Sequence, residues 1–347
     1  MNERYDTCKL DSTKCPEPFP VQYSTLLSCA LQDRILTKYH FNGLPLCEFS
    51  YRGMNDSYLV KDLSSQYIFK IYRHTWRNLV DVESEIELLQ YLKANGASVS
   101  FPIADKQGNA IQTICAPEGE RYAVLFSYAE GSSLMADMTR EQSLIAGREL
   151  AKIHVLTKNR QLKNQRSQLD LSALLDSSFF MIEPFIDDKN HDLTNLREVI
   201  LKLKGKFASV ALNELDYGIC HGDFHPANYH ISECNEITIY DFDSCCVSYF
   251  AYDIATFYYW IVRFYKNAKK IMASFLRGYQ EIRKLSEPES ALLPYFGAAS
   301  FIWMIAIQCS NSEIFSYFVR NNIKNKTIGN LKKFVDEHCG VSGQEFL

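Results

Sequence analysis

The sequence predicts an α+β fold in which a β-rich first region is followed by a larger, mostly helical one. Apolar and alternating runs typical of strands precede residue 128, at 45–52, 57–62, 66–72, 110–115 and 121–127. After residue 128 the apolar residues recur mainly at helical spacing, which predicts helices at 140–157, 248–264, 267–285, 289–310, 311–321 and 328–338. A chain of 347 residues is long enough to give each region its own core.

Composition indicates an ordinary globular protein. Hydrophobic residues make up 47% of the chain, and its net charge of −4 gives no general attraction to nucleic acid or an anionic membrane. No signal-peptide pattern and no apolar run of about eighteen residues is present, so no membrane span is predicted. The eleven cysteines are scattered and lack the paired spacing of a zinc site. Reduced thiols in the cytoplasm are the simplest explanation.

The first region begins with features that carry little chemistry. Residues 1–20 contain three prolines and no clear periodicity, which predicts a loose N-terminal arm. A short helix is predicted within 21–39. The first break between strands, at 53–56, holds a single glycine and so does not satisfy the phosphate-binding pattern G-x-G-x-x-G. On the residues alone, a hairpin turn is the better interpretation.

Lys70 is the first candidate for a functional side chain. Strand alternation places it on the same face as Ile68 and Tyr72, so its ammonium group needs a partner. A helix is predicted at 78–95, and Glu85 lies at the edge of its apolar stripe, which makes it the candidate partner. That stripe consists of Leu79, Val82, Ile86 and Leu89. The alternative is an edge-strand lysine and a solvated glutamate.

The strongest chemical signal is the polar stretch His221-Gly222-Asp223-Phe224-His225-Pro226-Ala227-Asn228. A short apolar run, 217–220, precedes it, and a second β pattern at 229–241 follows it and is broken by a turn at 232–235. Strand alternation makes Asp241 close an apolar face at the strand end, beside the polar loop. Two carboxylates and an amide suit Mg²⁺, which prefers oxygen ligands. A polar turn between two core strands is the alternative.

This stretch, followed by Asp241-Phe242-Asp243, resembles the catalytic and metal-binding loops of the aminoglycoside phosphotransferase and choline kinase superfamily. Its members share the bilobal fold of protein kinases. Asp223, Asn228 and Asp241 match the kinase spacing of a catalytic Asp, four intervening residues, a metal-binding Asn and a later metal-binding Asp. Gly222 replaces the usual Arg and Asp243 the usual Gly, and both departures are typical of the small-molecule branch.

The resemblance implies a protein-kinase-like fold with a β-rich N-lobe at 21–127 and a mostly helical C-lobe at 128–347. It implies that Asp223 orients the acceptor hydroxyl and takes its proton. Asn228 and Asp241 would then hold Mg²⁺, with Asp243 as a weaker candidate ligand. Lys70, set by Glu85, would steady the α- and β-phosphates.

The resemblance also implies contacts that the residues alone do not. The break at 53–56 occupies the place of the nucleotide-covering loop, which makes Asn55 a candidate nucleotide contact. Tyr128 lies in the expected hinge that bonds the adenine edge, although it could equally be ordinary core. Asp253 matches an aspartate that holds the catalytic loop through backbone hydrogen bonds. His154, near the end of the helix at 140–157, is interpreted as a buried structural histidine.

The implied activity is a transfer of the γ-phosphoryl group from ATP, or GTP, to a hydroxyl of a small molecule. Family acceptors include aminoglycosides, amino alcohols and sugars. Acidic residues at 177–195 would suit a cationic acceptor, although a solvated acidic loop is at least as good an interpretation. A stress-response protein kinase of the same fold is the alternative. A catalytically silent nucleotide-binding module is less favoured, because Lys70, Asp223, Asn228 and Asp241 are all present.

Overall fold

The computed structural model describes residues 19–135, 137–164, 166–186, 191–315, 319 and 326–340. They form two compact units. The first runs from the start of the described chain to Gln90 and adds Ser100–Tyr128, and the second comprises Tyr91–Val99 and the chain from Ala129 onward. The boundary between the units therefore follows residue 128, whereas the predicted boundary follows residue 127. The second unit also includes residues 91–99. Apart from its last two residues, the predicted arm at 1–20 lies outside the described residues.

A six-stranded antiparallel sheet forms the first unit. In chain order its strands are β1 (Leu46–Arg52), β2 (Asp56–Lys61), β3 (Gln66–Ile71), β4 (Pro102–Ile103), β5 (Ile111–Ala116) and β6 (Gly119–Ser127). Their spatial order is β1-β2-β3-β6-β4, and β5 also pairs with β6. Lys70 pairs with Ser57 on one side and Val124 on the other. Because β3 is central, the alternative of an edge-strand lysine is wrong.

Two helices belong to this region. Helix α1 (Ser28–Arg34) and the 3₁₀ turn Leu36–Lys38 lie within the predicted 21–39, and α2 spans Leu79–Ala94. The side of the sheet that faces α1 is apolar, and its core comprises Leu31, Leu36, Tyr39, Cys47, Tyr58, Val60, Phe69, Ile71, Ala123 and Leu125. Leu79 is 40% exposed. Helical spacing places Leu79 in the apolar stripe of α2, but the buried part of the stripe begins about one turn later, at Val82, because Leu79 is the first helical residue.

Helices dominate the second unit. They are α3 (Arg140–Thr157), α4 (Ser178–Ile182), α5 (Asp192–Ala208), α6 (Phe250–Phe264), α7 (Ala268–Ile282), α8 (Glu287–Ser310) and α9 (Ile328–His338). Helices α3 and α8 each begin with a capping box, in which the N-cap and third residues exchange side-chain and backbone hydrogen bonds. Residues 311–315 form a turn rather than the start of the predicted helix 311–321, most of whose remainder lies outside the described residues.

Two short pairs of strands in the second unit flank the predicted catalytic loop. Strand β7 (Tyr217–Cys220) pairs with β10 (Cys246–Tyr249), and β8 (Tyr229–Ile231) pairs with β9 (Ile237–Ile239), both antiparallel. The helix predicted from residue 248 begins only at residue 250. The aromatic-rich segment is helical in pattern, but backbone pairing with β7 extends the strand through residue 249.

Helix α8 is long and apolar enough to cross a membrane by length and composition alone. However, 72% of its apolar window is buried inside the protein. Its buried residues come from all sides of the helix, including Leu292, Phe296 and Ile302. A helix that is apolar all round and covered by its own protein is a core helix, and we interpret α8 in this way.

Among the described cysteines, all but Cys29 are in the expected reduced state. Eight cysteines in the described part of the chain are free, and only Cys115 and Cys234 among them are exposed. Cys29, in α1, is disulfide-bonded. The expectation of reduced thiols is therefore wrong at Cys29, because sequence spacing does not reveal which sulfur atoms approach each other in space.

Candidate active site

The predicted catalytic loop, residues 221–228, connects β7 to β8. Gly222 has a φ of +85°, and a Cβ atom at this position would lie 2.0 Å from the backbone oxygen of Ser244. Both the left-handed backbone and the close approach require glycine. This explains why the arginine of protein kinases has no place at Gly222, and it brings the loop against the segment that contains Asp241 and Asp243.

Tyr240 joins the end of β9 to the catalytic loop. Its backbone N–H donates to the backbone oxygen of Asn228 at 2.9 Å, and its hydroxyl donates to the backbone oxygen of Ala227 at 2.8 Å. Its own carbonyl accepts a hydrogen bond from His221 Nε2 at 3.0 Å. The next residue, Asp241, is exposed and has a φ of 64°. As predicted, Asp241 lies just beyond the apolar strand, although the left-handed turn ends the alternation before it.

Asp223 has one carboxylate oxygen that is held and one that is not. Asn228 Nδ2 donates to the Asp223 backbone oxygen at 2.8 Å and to its Oδ2 at 3.2 Å. His225 Nε2 lies 3.4 Å from the same Oδ2, and the Asp223 side chain is 46% exposed. Within the described residues, Oδ1 has no hydrogen-bond partner. One oxygen is thus fixed by the loop, and the other remains available to a ligand.

The surroundings of Asp223 favour its charged form. Desolvation by the surrounding protein raises the pKa of this carboxyl, but the nearby His225 and His221 imidazoles and the hydrogen bond from Asn228 lower it further. The net pKa lies below the usual aspartate value. Asp223 is therefore a carboxylate at neutral pH, able to accept a hydrogen bond or a proton from a hydroxyl group.

Asn228 and Asp241 offer the donor atoms that a divalent cation needs. Asn228 Nδ2 points at two oxygens of Asp223, so the amide orientation is fixed and Oδ1 faces away from them. Within the described part of the chain, Oδ1 accepts no hydrogen bond. An amide oxygen and an exposed carboxylate are hard donors and fit Mg²⁺. Asp243, by contrast, is buried, and its backbone oxygen accepts a hydrogen bond from Arg166.

Asp253 of α6 holds the first residues of the catalytic loop. Its Oδ2 accepts the backbone N–H of His221 at 2.6 Å, and its Oδ1 accepts that of Gly222 at 2.8 Å. His154 Nε2 lies 3.1 Å from Oδ2, and both side chains are fully buried. The predicted structural role of Asp253 is confirmed, and so is the prediction that His154 is a buried structural histidine.

The hydrogen-bond partners in this network determine which atom carries each proton. Arg283 Nη1 can only donate, and it donates to the Tyr279 hydroxyl at 3.1 Å. Tyr279 in turn lies 2.7 Å from His154 Nδ1 and donates its proton there. Burial lowers the pKa of His154, although Asp253 opposes this, so the ring is neutral and carries its proton on Nε2, toward Asp253.

Further ion pairs connect this network to the protein surface. Arg283 also binds Asp216 at 2.7 Å and contacts Glu289, and Asp216 binds Lys158 at 2.7 Å. The Lys158 side chain is 46% exposed, whereas that of Arg283 is 7% exposed. A continuous series of hydrogen bonds thus runs from the surface through Arg283, Tyr279 and His154 to Asp253.

The candidate nucleotide residues of the first unit are centred on Lys70. Lys70 Nζ lies 3.4 Å from Glu85 Oε1, and the Tyr72 hydroxyl donates to Glu85 Oε2 at 2.9 Å. The Lys70 and Glu85 side chains are only 9% and 2% exposed. The predicted ion pair is therefore present, with Tyr72 as a second partner of the carboxylate.

The two remaining predicted nucleotide contacts occupy loop positions. Asn55 lies in the turn between β1 and β2, and its Oδ1 accepts the backbone N–H of Arg73 at 3.2 Å. The Asn55 side chain thus fixes the turn against the segment that follows β3. Tyr128 is half-buried and follows β6 directly, at the last residue of the first unit. Nothing in these contacts assigns either residue to a ligand.

Sequence reasoning missed three residues of this region. Tyr279 and Arg283 contact the network around Asp253 from α7 and its end, and Trp260 stacks on His225. No motif marks them, because each lies far along the chain from its partner. Of the acidic stretch at 177–195, residues 187–190 lie outside the described residues.

The sequence matches a known family over most of its length. The profile described as "Phosphotransferase enzyme family" matches residues 51–287. An uncharacterized protein of Synechocystis sp. is 32% identical over 306 residues, which cover 88% of this chain and 84% of that protein. A homoserine kinase of Gluconobacter oxydans is 24% identical and covers 69% of this chain and 74% of its own length.

Solved structures have the same fold. A microcompartment-associated aminopropanol kinase has a TM-score of 0.70 at 18% identity and covers 91% of this chain and 97% of its own. An amicoumacin kinase, solved with AMP-PNP, Ca²⁺ and amicoumacin, has a TM-score of 0.68 at 22% identity and covers 86% of this chain and 97% of its own. These similarities confirm the predicted protein-kinase-like fold.

Proposed function

This chain belongs to the phosphotransferase enzyme family, and we propose that it transfers the γ-phosphoryl group of ATP to a hydroxyl of a small amino-containing molecule, with Mg²⁺ as cofactor. The observation that carries the proposal is the arrangement of Asp223. Its carboxylate is ionised, half-exposed and held through one oxygen by Asn228. The other oxygen is available for the proton of an acceptor hydroxyl.

Each remaining candidate residue has a role in the proposal. Asn228 and Asp241 would hold Mg²⁺, which neutralises phosphate charge when it is bound. Lys70, oriented by Glu85, would bind the α- and β-phosphates. The turn that contains Asn55 would cover the phosphates through its backbone, since its side chain is already used. Tyr128 would lie at the adenine edge. Positioning and charge stabilisation would supply most of the acceleration.

The acceptor class rests on the names of similar proteins. They include homoserine kinases, an aminopropanol kinase and an amicoumacin kinase. A homoserine or an aminopropanol carries both a hydroxyl and an amino group. We therefore infer an acceptor with both groups, and a reaction in the cytoplasm, where ATP and Mg²⁺ are available.

The test is nucleotide consumption by the purified protein with Mg²⁺ and a panel of amino alcohols, homoserine, choline, aminoglycosides and sugars. ATP and GTP are supplied in parallel. We expect one acceptor class to stimulate turnover, and Asp223→Ala to reduce it by about a thousandfold or more while nucleotide affinity stays within about twofold. Unchanged turnover in Asp223→Ala would contradict the assignment. Nucleotide binding without turnover on any acceptor would favour a protein substrate or a silent module.

A further inference from the structure

We propose that His225 is a positioning residue for Asp223 and that Trp260 of α6 holds its ring in place. The inference deepens the proposed phosphotransferase function and rests on it for its kinetic consequences. Its structural basis is independent of the acceptor: a ring nitrogen of His225 lies 3.4 Å from Asp223 Oδ2, and the ring itself is nearly buried at 7% exposure.

The tautomer of His225 follows from its second nitrogen. The backbone N–H of Ala227 donates to His225 Nδ1 at 3.2 Å, so Nδ1 must be unprotonated. In the neutral ring the proton is then on Nε2, the nitrogen beside Asp223. The opposite tautomer would place Nδ1–H against the Ala227 N–H. Asn228 Nδ2 also lies 3.3 Å from His225 Nε2, but its two N–H groups already donate to the Asp223 backbone oxygen and to Oδ2, so this contact does not require Nε2 to accept. His225 therefore presents a donor to the carboxylate.

His225 and Asn228 act on the same oxygen of Asp223. Asn228 Nδ2 lies 3.2 Å from Oδ2, and His225 Nε2 lies 3.4 Å from it. The His225 contact is longer than a formed hydrogen bond, and such contacts in a ligand-free site often shorten when the reacting groups bind. With two donors on Oδ2, rotation of the carboxylate is restricted and Oδ1 is the oxygen left for the acceptor hydroxyl.

Trp260 fixes the plane of the His225 ring. The two rings are stacked, with centroids 4.2 Å apart and an interplanar angle of 22°. Phe264, about one helical turn later, also packs against Trp260, with ring centroids 5.0 Å apart. Asp253 lies about two turns before Trp260 on the same helix. Helix α6 thus holds the catalytic loop at two places: at the His221 and Gly222 amides, through Asp253, and at His225.

Three substitutions of His225 separate its contacts. His225→Gln keeps a donor at nearly the position of Nε2. His225→Asn keeps an acceptor for the Ala227 N–H but does not reach Asp223. His225→Phe keeps only the stacking on Trp260. With the acceptor that stimulates the wild type, we expect kcat to fall by about 10- to 100-fold in the Asn and Phe variants, to stay within about fivefold in the Gln variant, and KM for ATP to change little in all three.

A second measurement does not depend on turnover. Long-range ¹H–¹⁵N NMR of the histidine rings in the full protein identifies the tautomer of His225. We expect the Nε2–H form, with a changed Nε2 resonance in Asp223→Asn and a weakened tautomer preference in Trp260→Ala but not in Trp260→Phe. The Nδ1–H form, or equal kcat in the Gln and Phe variants, would overturn the proposal. If the wild type has no activity but the NMR result holds, the proposed function fails and the positioning contact stands.

Discussion

Two buried carboxylates, Asp253 in the second unit and Glu85 in the first, are held in opposite ways. Asp253 accepts two backbone N–H groups and lies beside a neutral imidazole, at distances of 2.6–3.1 Å. Glu85 accepts the Tyr72 hydroxyl at 2.9 Å and pairs with a full positive charge, Lys70, at 3.4 Å. The first set of contacts is short and mostly to the backbone, and the second joins flexible side chains.

The difference matches the tasks that we propose for the two sites. A catalytic loop must keep a fixed backbone, because a displacement of about 1 Å can cost a hundredfold in rate. Short hydrogen bonds from Asp253 to the His221 and Gly222 amides serve this purpose. A phosphate-binding lysine must instead be able to exchange partners. An ion pair of 3.4 Å between two flexible side chains orients Lys70 and can be exchanged for a contact with a phosphate oxygen.

The largest expected effect comes from changing Asp253. In Asp253→Asn, the amide group would turn N–H donors toward a site that already contains two backbone N–H groups and the His154 N–H. We expect a loss of about 3–5 kcal/mol in the free energy of unfolding and at least a hundredfold loss in kcat. Urea unfolding and steady-state kinetics measure the two quantities.

Asp176→Asn is the matched control for Asp253→Asn. It breaks an ion pair with Lys204 in which both side chains are more than 40% exposed. We expect less than about 0.5 kcal/mol of destabilisation and unchanged kcat. Similar stability losses in the two variants would contradict the view that Asp253 organises the catalytic loop.

A smaller effect, of a different kind, is expected at Glu85. Glu85→Gln still accepts the Tyr72 hydroxyl but removes the negative charge that Glu85 places beside the buried Lys70. We expect the free protein to lose about 1–3 kcal/mol and KM for ATP to rise about tenfold. Thermal unfolding with and without Mg²⁺-ATP sharpens the comparison: the nucleotide should restore stability in Glu85→Gln, because phosphate pairs with Lys70, but not in Asp253→Asn.

Glu83→Gln, on the exposed side of the same helix, is the control for Glu85→Gln. It should leave both the unfolding temperature and KM unchanged. If Glu85→Gln also leaves KM for ATP unchanged, the Lys70–Glu85 pair is a structural ion pair and the proposed phosphate contact is wrong.

Much of this arrangement is readable from local sequence. Strand alternation and helical spacing locate Lys70 in a strand and Glu85 on the inner edge of α2, and the pair is present. The spacing within 221–228 places Asp223 and Asn228 in one loop, where they contact each other. These features depend on periodicity or on a few neighbouring residues, so one sequence is enough to predict them.

Other features depend on contacts between residues that are distant in sequence. Tyr279 contacts His154 across 125 positions, and Arg166 contacts the Asp243 backbone across 77. The last two residues of β10, 248 and 249, fall within the predicted helix 248–264, because the aromatic pattern there is helical and only the pairing with β7 makes them extended. Tertiary packing decides such features, and no local propensity encodes it.

The smallest predicted effect tests whether the hydrogen bond from Tyr279 to His154, which fixes the proton of His154 toward Asp253, contributes to stability and to kcat. Tyr279→Phe keeps the ring but removes the hydroxyl between Arg283 and His154. The His154 Nδ1 then lacks its donor, and the Nε2–H tautomer that faces Asp253 is no longer enforced. We expect about 1–2 kcal/mol of destabilisation and a three- to tenfold loss in kcat, with KM for ATP unchanged. Urea unfolding and steady-state kinetics again provide the measurements.

A second tyrosine–histidine pair in the same unit provides the control. The Tyr258 hydroxyl lies 2.8 Å from His338 Nδ1, and Tyr258 is 2% exposed. Tyr258→Phe should therefore cost a similar free energy of unfolding, but its histidine does not contact Asp253 and kcat should not change. Equal losses of kcat in Tyr258→Phe and Tyr279→Phe would mean that general destabilisation, rather than the position of the catalytic loop, limits turnover. A loss confined to Tyr279→Phe would show that the loop depends on a hydrogen-bond series that begins at Arg283, outside every motif in the sequence.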